Sequence, residues 1–508
     1  MRRRPASRYG SGGLITVAGV SEILGFGAVV LVVAAGFFLA LGTYKLNERF
    51  PLPAPALFLL AAAVISDVFP GLAQHVSIAT VERIAVVALI VILFDGGMHV
   101  GARRFRGSAV PISILGVLGT FATAGAMAVF AHAFFDFSWT IAGVLGAALA
   151  PTDPAVLFSV LGNREVGGRV ATILEGESGA NDPVGIALMI AMLDLATHGN
   201  ATFWTVVREF SLEMAVGLAV GCAGAYALLQ LMRRVSLPNE GLYPLRTLAA
   251  AGVIYGVATV AHGSGFLAVF VAGLLIGDER APYKAEIERF HTSLAAIAEV
   301  VAFVALGLTV DLTDLGTEHL WLDGLALALL LTLVARPVVT WVLLVPTRLR
   351  ARERLFVVWG GLKGAVPILL AALALLDGVS QAHRIYGIVF VVVAFSVVVQ
   401  GTTIPLAARV LRIPMRVVEP EPWDLSIRLR REPQGVQRFV VARGARAEGE
   451  ALRDLPLGEH SWISLIVRGD EPRQARGSYV FEAGDEVLLL SDSEDTAALR
   501  RLFEGGRT

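Results

Sequence analysis

Apolar stretches of about 20 residues recur from residue 23 to residue 411, separated by short polar loops. A helix needs about 20 such residues to cross the roughly 30 Å hydrocarbon layer of a membrane. The pattern predicts thirteen spans, at 23–45, 54–69, 80–98, 108–132, 139–162, 170–196, 206–232, 245–262, 265–277, 292–310, 320–346, 354–376 and 384–411. The second and ninth are short. Beyond Arg416 the pattern changes. Residues 418–508 are rich in charge and carry strand-like runs at 438–442, 462–467, 478–481 and 486–490. Turn signals at Arg468-Gly469-Asp470 and Gly484-Asp485 separate them, and a closing helix is predicted near 494–503. The chain therefore reads as a polytopic all-α membrane domain over 1–417, followed by a small soluble α/β domain over 418–508.

Composition narrows the classes of function. Of 508 residues, 55% are hydrophobic and only 17% charged, with a mean hydropathy of +0.69, against about a quarter charged in soluble domains. A net charge of −1 argues against a nucleic-acid partner. The single cysteine, Cys222, supports neither a disulfide framework nor a zinc site and is expected to be a buried small hydrophobe. Lys45, Lys284 and Lys363 are the only lysines.

Alternate loops are rich in arginine and lysine: Lys45/Arg49, Arg103/Arg104/Arg106, Arg164/Arg169, Arg233/Arg234, Arg280/Lys284/Arg289 and Arg348/Arg350/Arg352/Arg354. Such loops face the cytoplasm. This predicts a cytoplasmic C-terminus and, with an odd number of spans, an N-terminus outside. The basic start, Met1-Arg2-Arg3-Arg4 and Arg8, opposes that placement. It resembles the n-region of a signal peptide, but no small-residue cleavage site follows a short apolar run, so the first span is read as uncleaved.

Charged groups at membrane depth are costly and mark function by default. In the fifth span, Ala150-Pro151-Thr152-Asp153-Pro154 places two prolines around Thr152-Asp153, which a regular helix does not tolerate. In the sixth, Glu177, Ser178, Asn181 and Asp182 crowd one helix face at four-residue spacings, and that face does not suit lipid. A carboxylate in a partly desolvated cavity there can exchange a proton for a cation. In the twelfth, Gly360-Gly361-Leu362-Lys363-Gly364-Ala365-Val366-Pro367 interrupts an apolar run around one lysine. Two interrupted spans in corresponding halves point to a transporter site. Asp153 and Lys363 suit the partial charges of broken helix ends. Arg336 at bilayer depth requires a counter-ion, and Glu177 is the candidate; Asp95, in Leu93-Phe94-Asp95-Gly96-Gly97, is a further candidate, and Glu299 a weaker one.

With these residues the chain resembles the NhaP-type branch of the monovalent cation:proton antiporter family, relatives of the sodium/proton exchangers. Further matching segments follow in order: Gly241-Leu242-Tyr243-Pro244, Gly263-Ser264-Gly265, Leu306-Gly307-Leu308 and Arg336-Pro337. The resemblance implies an inverted-repeat fold with two crossed, unwound helices, working as a homodimer in the inner membrane by an elevator-like motion. It implies that Asp182 binds the cation and carries the proton, assisted by Ser178, Thr152 and Asp95. Glu177 and Arg336 would form a stabilising ion pair with Asn181 beside it. Two positions depart from the family pattern: Lys363 stands where arginine is common, and Asp95 where some relatives carry glutamate. Electrogenic relatives have aspartate at the position of Asn181, so electroneutral one-for-one exchange is expected.

The tail resembles the regulatory C-terminal domain of potassium channels and transporters, through Leu452-Arg453-Asp454-Leu455-Pro456-Leu457, residues 463–469 and Phe481-Glu482-Ala483-Gly484-Asp485-Glu486. This implies a module that senses a small ligand, a nucleotide or an ion, and favours K⁺ over Na⁺ as the exchanged cation. No cofactor is expected. An intramembrane aspartyl protease would need a Gly-x-Gly-Asp element, and a potassium channel a run of filter carbonyls; the sequence contains neither.

Overall fold

The computed structural model describes residues 53–68, 77–161, 164–166, 168–198, 203–279, 281–317, 319–347, 349–417, 436–457, 462–469, 471–490 and 496–505. The predicted span at 23–45, the N-terminal arginines and Lys45/Arg49 lie outside these residues. Two compact units divide the chain, Met1–Glu419 and Pro420–Thr508.

The first unit is helical. Its elements run α1 (Ala54–Val68), α2 (Ile78–Val100), α3 (Ala102–Gly107), α4 (Ala109–Phe135), α5 (Trp139–Leu149), α6 (Ala155–Leu161), α7 (Arg169–His198), α8 (Phe203–Arg234), α9 (Leu242–Val260), α10 (Gly265–Gly277), α11 (Lys284–Gly307), α12 (Leu312–Thr317), α13 (Leu320–Leu343), α14 (Ala351–Gly360), α15 (Ala365–Leu376) and α16 (Ala382–Val410). Local chemistry sets several starts: Ser77, Ser138 and Ser264 accept from the backbone N–H three residues on, capping α2, α5 and α10. Among the described residues, α4, α7, α8, α11, α13 and α16 are each long and apolar enough to cross a membrane, and α14 and α15 are so only when taken together, bent by 42° at the break between them. Large apolar side chains such as Leu218, Val253, Val260 and Leu406 are exposed on the surface, as a lipid-facing exterior requires.

Three stretches, Ile114–Gly119 in α4, Leu331–Ala335 in α13 and Ser396–Gln400 in α16, wind as π-helix. Such turns shift the register of the residues that follow and recur at functional sites; none was legible in the apolar pattern. Cys222 is exposed, contrary to the expectation of burial. α8 buries Ala225, Leu228 and Met232 on one face, and Cys222 lies off that face. In lipid an apolar residue is at home on the outside, so hydrophobicity alone does not imply burial in protein. A short antiparallel pair, β1 (Arg164–Val166) and β2 (Met415–Val417), ties the α6–α7 connection to the chain leaving α16, with Arg164 opposite Val417 and Val166 opposite Met415.

The second unit is an antiparallel sheet of β3 (Val436–Val440), β4 (Trp462–Arg468), β5 (Glu471–Arg473) and β6 (Glu486–Leu490), in the order β3-β6-β4-β5, with α17 (Thr496–Phe503) packed on it. Phe439, Ile466, Phe481, Val487, Leu489, Leu499 and Phe503 form its core. The strand predicted at 478–481 is absent. Gly469, at φ +64°, reverses the chain at once, so residues 471–473 return along β4 instead. Residues 479–481 turn to a loop, where Leu452 donates to the Tyr479 carbonyl and Phe481 to that of Glu450. Arg468 clamps the turn with a two-pronged bond to Asp485 (2.7 and 2.8 Å). Although burial alone would raise the Asp485 carboxyl, Arg468 and the Glu482 N–H hold it below its ordinary value.

Candidate functional site

Two helix breaks meet inside the first unit. Pro151 and Pro154 lack the N–H a helix needs, and the backbone from Ala150 to Pro154 leaves helical form between α5 and α6. Gly361-Leu362-Lys363-Gly364 does the same between α14 and α15. Each break supplies what the other leaves unsatisfied. The Asp153 N–H donates to the Leu362 carbonyl at 2.8 Å. The Lys363 ammonium donates to the carbonyls of Ala150 and Pro151, both at 2.8 Å, and so sets a positive charge at the negative end of α5. Lys363 is buried, and its own N–H donates to the Ser396 hydroxyl at 2.8 Å.

The Asp153 carboxylate lies against Gly364, at the positive start of α15. A Cβ at position 364 would stand 1.8 Å from its Oδ2 and 2.5 Å from its Cβ. We therefore expect Gly364→Ala to push the two breaks apart and, on the antiport activity that the sequence resemblance implies, to lower alkali-cation/proton flux in proteoliposomes by about 100-fold, the scale of a 1 Å misplacement at a site. Flux equal to wild type would show that the contact is dispensable.

One face of α7 packs onto the first break. Glu177, Ser178, Asn181 and Asp182 are all buried. The Ser178 hydroxyl donates to the Thr152 carbonyl at 2.6 Å. The Asn181 amide donates to the Thr152 hydroxyl at 2.6 Å and accepts from the Thr152 N–H at 3.3 Å. Asn181, four residues from Glu177 on the same helix, thus ties α7 to both the backbone and the side chain of Thr152. Asp182 is 5% exposed, and its Oδ1 accepts no hydrogen bond. A buried polar atom left in that state carries a large cost unless something positive satisfies it. Asp153 and Lys363 are the charged groups that act on it through space.

Glu177 and Arg336 face each other in a buried two-pronged pair, Nη1–Oε1 2.5 Å and Nη2–Oε2 3.0 Å. Nη2 also donates to the Val357 carbonyl on α14 at 3.4 Å. The π-turn at 331–335 directly precedes Arg336. Gly361 leaves room for the guanidinium, because a Cβ there would meet Nη2, Cζ and Nε and the Arg336 side chain would have to shift. The pair thereby joins α7, α13 and the end of α14.

A polar strip on α16 that the sequence reading missed completes the frame. Ser396 donates to Gln400 (3.1 Å), Gln400 to the Trp359 carbonyl (2.6 Å), and the Trp359 indole to Thr403 (3.0 Å). The signal was present as Ser396 and Gln400, four apart in an otherwise apolar run.

Asp95 is not joined to this group by any hydrogen bond among the described residues. On α2, its Oδ1 accepts from Thr292 at 3.3 Å and its Oδ2 faces the His99 ring at 3.3 Å. Glu299, on α11, has a buried Oε1 without a hydrogen-bond partner. No cluster of three or more His, Cys, Asp or Glu suited to a resident metal occurs among the described residues.

Comparison with known proteins places this frame. The profile of the sodium/hydrogen exchanger transmembrane family matches residues 13–410, and that of the TrkA-C domain residues 436–504. The K(+)/H(+) antiporter NhaP of Alkalimonas amylolytica is 31% identical over 470 residues, covering 92% of this chain and 81% of that protein. The Na(+)/H(+) antiporter NhaH of Halobacillus dabanensis is 30% identical over 309 residues, 57% of this chain and 73% of that protein. Among solved structures, the sodium proton antiporter MjNhaP1 of Methanocaldococcus jannaschii superposes with a TM-score of 0.64 at 23% identity, over 77% of this chain and 98% of that one, which shows a shared fold. The chain belongs to the sodium/hydrogen exchanger family: it is an integral-membrane monovalent cation/proton antiporter, a secondary transporter and not an enzyme, with a TrkA-C domain after its helices.

Proposed function

We propose that the protein exchanges K⁺ for H⁺ across the inner membrane, one for one, with either ion held at Asp182. The observation that carries this reading is the buried Asp182 Oδ1 without a donor, one helical turn from Ser178 and beside the break at Thr152. Because Ser178 gives its proton to the Thr152 carbonyl, its own oxygen lone pairs are left to an ion. Oxygen ligands of this kind replace the hydration shell of an alkali cation. Cation and proton compete for the same carboxylate, so each leaves as the other arrives. Asn181 is neutral and committed to Thr152, so one carboxylate carries one charge each way, and exchange is electroneutral. Glu177–Arg336, Asp153 and Lys363 hold the breaks in register, and Asp95 contributes from the α2 side.

The wider reading is a thirteen-span, inverted-repeat fold, in which the two broken helix pairs sit in corresponding halves. It works as a homodimer whose core, carrying both breaks, rises and falls as a body. The positive loops favour a cytoplasmic C-terminus and an N-terminus outside. The TrkA-C match supports regulation through the tail by a small ligand, a nucleotide or an ion. The name of the Alkalimonas relative favours K⁺. The Halobacillus relative keeps Na⁺/H⁺ exchange at the same carboxylate as the second reading.

The test is a pH-dye assay in proteoliposomes with an imposed pH gradient and K⁺, Na⁺, Li⁺ or Rb⁺ added in turn. K⁺ is expected to dissipate the gradient, at a rate unchanged when the membrane potential is clamped. A response to Na⁺ alone would replace K⁺ by Na⁺. Stimulation by the clamp would refute electroneutrality, and silence with every cation would refute the transport reading.

A further inference from the structure

In a continuous helix the Lys363 N–H would donate to the Trp359 carbonyl, four residues back. The second break removes that bond. Gly361, at φ −77° and ψ 70°, is the centre of an inverse γ-turn, which the Leu362 N–H closes on the Gly360 carbonyl at 2.9 Å. The turn ends α14 and leaves one donor and one acceptor to be satisfied inside the protein.

Two side chains of α16 take up both. The Lys363 N–H donates to the Ser396 hydroxyl (2.8 Å), that hydroxyl to Gln400 Oε1 (3.1 Å), and Gln400 Nε2 to the Trp359 carbonyl (2.6 Å). The order of donors is forced. A carbonyl only accepts, so Gln400 turns its NH2 to Trp359 and its oxygen to Ser396; the serine proton then points at Gln400 and leaves the lone pairs to Lys363. Hydrogen bonds running in one direction reinforce each other. Ser396, Gln400 and Lys363 are all buried, which keeps bulk water from competing. Ser396 and Gln400 begin and end the π-turn of α16, the kind of local distortion that recurs at functional sites. The Trp359 indole is held on the same helix by Thr403, whose own hydroxyl donates to the Gln400 carbonyl at 2.7 Å.

We propose that Ser396 and Gln400 are positioning residues for the exchange: their side chains are spliced into the hydrogen bond that α14 lacks and hold the second break open against the first. With its N–H kept at Ser396, Lys363 reaches the Ala150 and Pro151 carbonyls, and the Leu362 carbonyl accepts from Asp153. Winding residues 360–362 into α14 would restore the bond from Lys363 to Trp359 and swing both contacts away from the first break. There Thr152 is bonded to Ser178 and Asn181, beside Asp182. Ser396 and Gln400 therefore act on the site at one remove, through Lys363 and Leu362. Their effect on flux rests on the antiport reading above; their effect on α14 does not.

The experiment measures pH-dye flux, melting in detergent and a cryo-EM map in nanodiscs for the full-length protein carrying Ser396→Ala, Gln400→Met or both. Methionine matches the length of glutamine without its amide. Each single substitution is expected to lower alkali-cation flux by about 100-fold, the scale of a 1 Å misplacement. The splice fails when either link fails, so the double variant loses no more flux than a single one. Ser396→Thr keeps the hydroxyl and recovers most of the flux. In the double variant the freed Lys363 N–H and Trp359 carbonyl pair with each other. Its melting temperature is therefore no lower than that of either single variant, and its map shows α14 wound on through Leu362. Wild-type flux in Ser396→Ala or Gln400→Met overturns the proposal, as does a threonine variant no better than alanine. So does a double variant whose losses multiply, which melts before both singles, or whose break is unchanged in the map. Failure of the wild-type protein to exchange any alkali cation overturns the antiport reading instead, and the map still decides whether the splice holds the break.

Discussion

Replacing Asp182 with asparagine is expected to reduce exchange to the leak of empty liposomes while leaving the protein folded. The substitution keeps the side chain's shape and removes its charge and its titration. At an effective dielectric of about 20, a carboxylate attracts a cation about 4 Å away by about 4 kcal/mol, which is close to a thousandfold in affinity. An amide offers only its carbonyl dipole in return and carries no proton across. The fold has little to lose, because Asp182 Oδ1 accepts no hydrogen bond that asparagine would break. The melting temperature in detergent is therefore expected to match or exceed that of the wild type. Flux is read as pH-dye recovery after K⁺ or Na⁺ addition. Wild-type flux from this variant would remove Asp182 from its role; lost flux together with an early melting transition would place it in the scaffold instead.

The second large effect belongs to Arg336. Substituting methionine leaves Glu177 charged, 1% exposed and without its two guanidinium bonds. Breaking a buried pair by removing one partner costs about 3–5 kcal/mol, much of the margin by which a typical protein is folded. Arg336→Met is expected to melt many degrees early and to reconstitute poorly. Removing both charges, with Glu177→Leu and Arg336→Met together, leaves no orphan and is expected to recover much of that loss. Melting of the two singles and the double by tryptophan fluorescence forms the cycle. A single variant as stable as the wild type, or a double worse than the sum of its parts, would show that the pair does not brace the break. Lysine at 336 would not restore the two-pronged geometry, because its single ammonium lacks the planar fork.

Much of this frame could be read along the chain because membranes leave few options. A proline pair in an apolar run forces unwinding, and backbone groups freed in lipid must find partners; hence Thr152-Asp153 and Gly361–Gly364 stood out, as did the face holding Glu177 and Asp182. What could not be read was which freed group meets which partner. Nothing in the spacing says that the hydrogen bonds of the Asn181 amide go to Thr152. Only the packing of α7 against the break decides that. Ser396 and Gln400 passed as ordinary small polar residues of a span, since a serine in a helix usually satisfies itself on its own backbone. The π-turns that re-aim such residues follow from tertiary packing, which no hydropathy pattern encodes. Nor could the sequence show that the Asp95 carboxylate meets Thr292 and His99 in the folded chain.

The small β1–β2 ribbon fastens the exit of the helical unit to the middle of its chain. The polypeptide leaving α16 is stitched through Met415, Arg416 and Val417 to Val166, Glu165 and Arg164, three residues before α7 begins at Arg169. If the TrkA-C domain regulates exchange as proposed above, a pull on the chain beyond Val417 would arrive first at the connection between α6, which follows the first break, and α7, which bears Asp182.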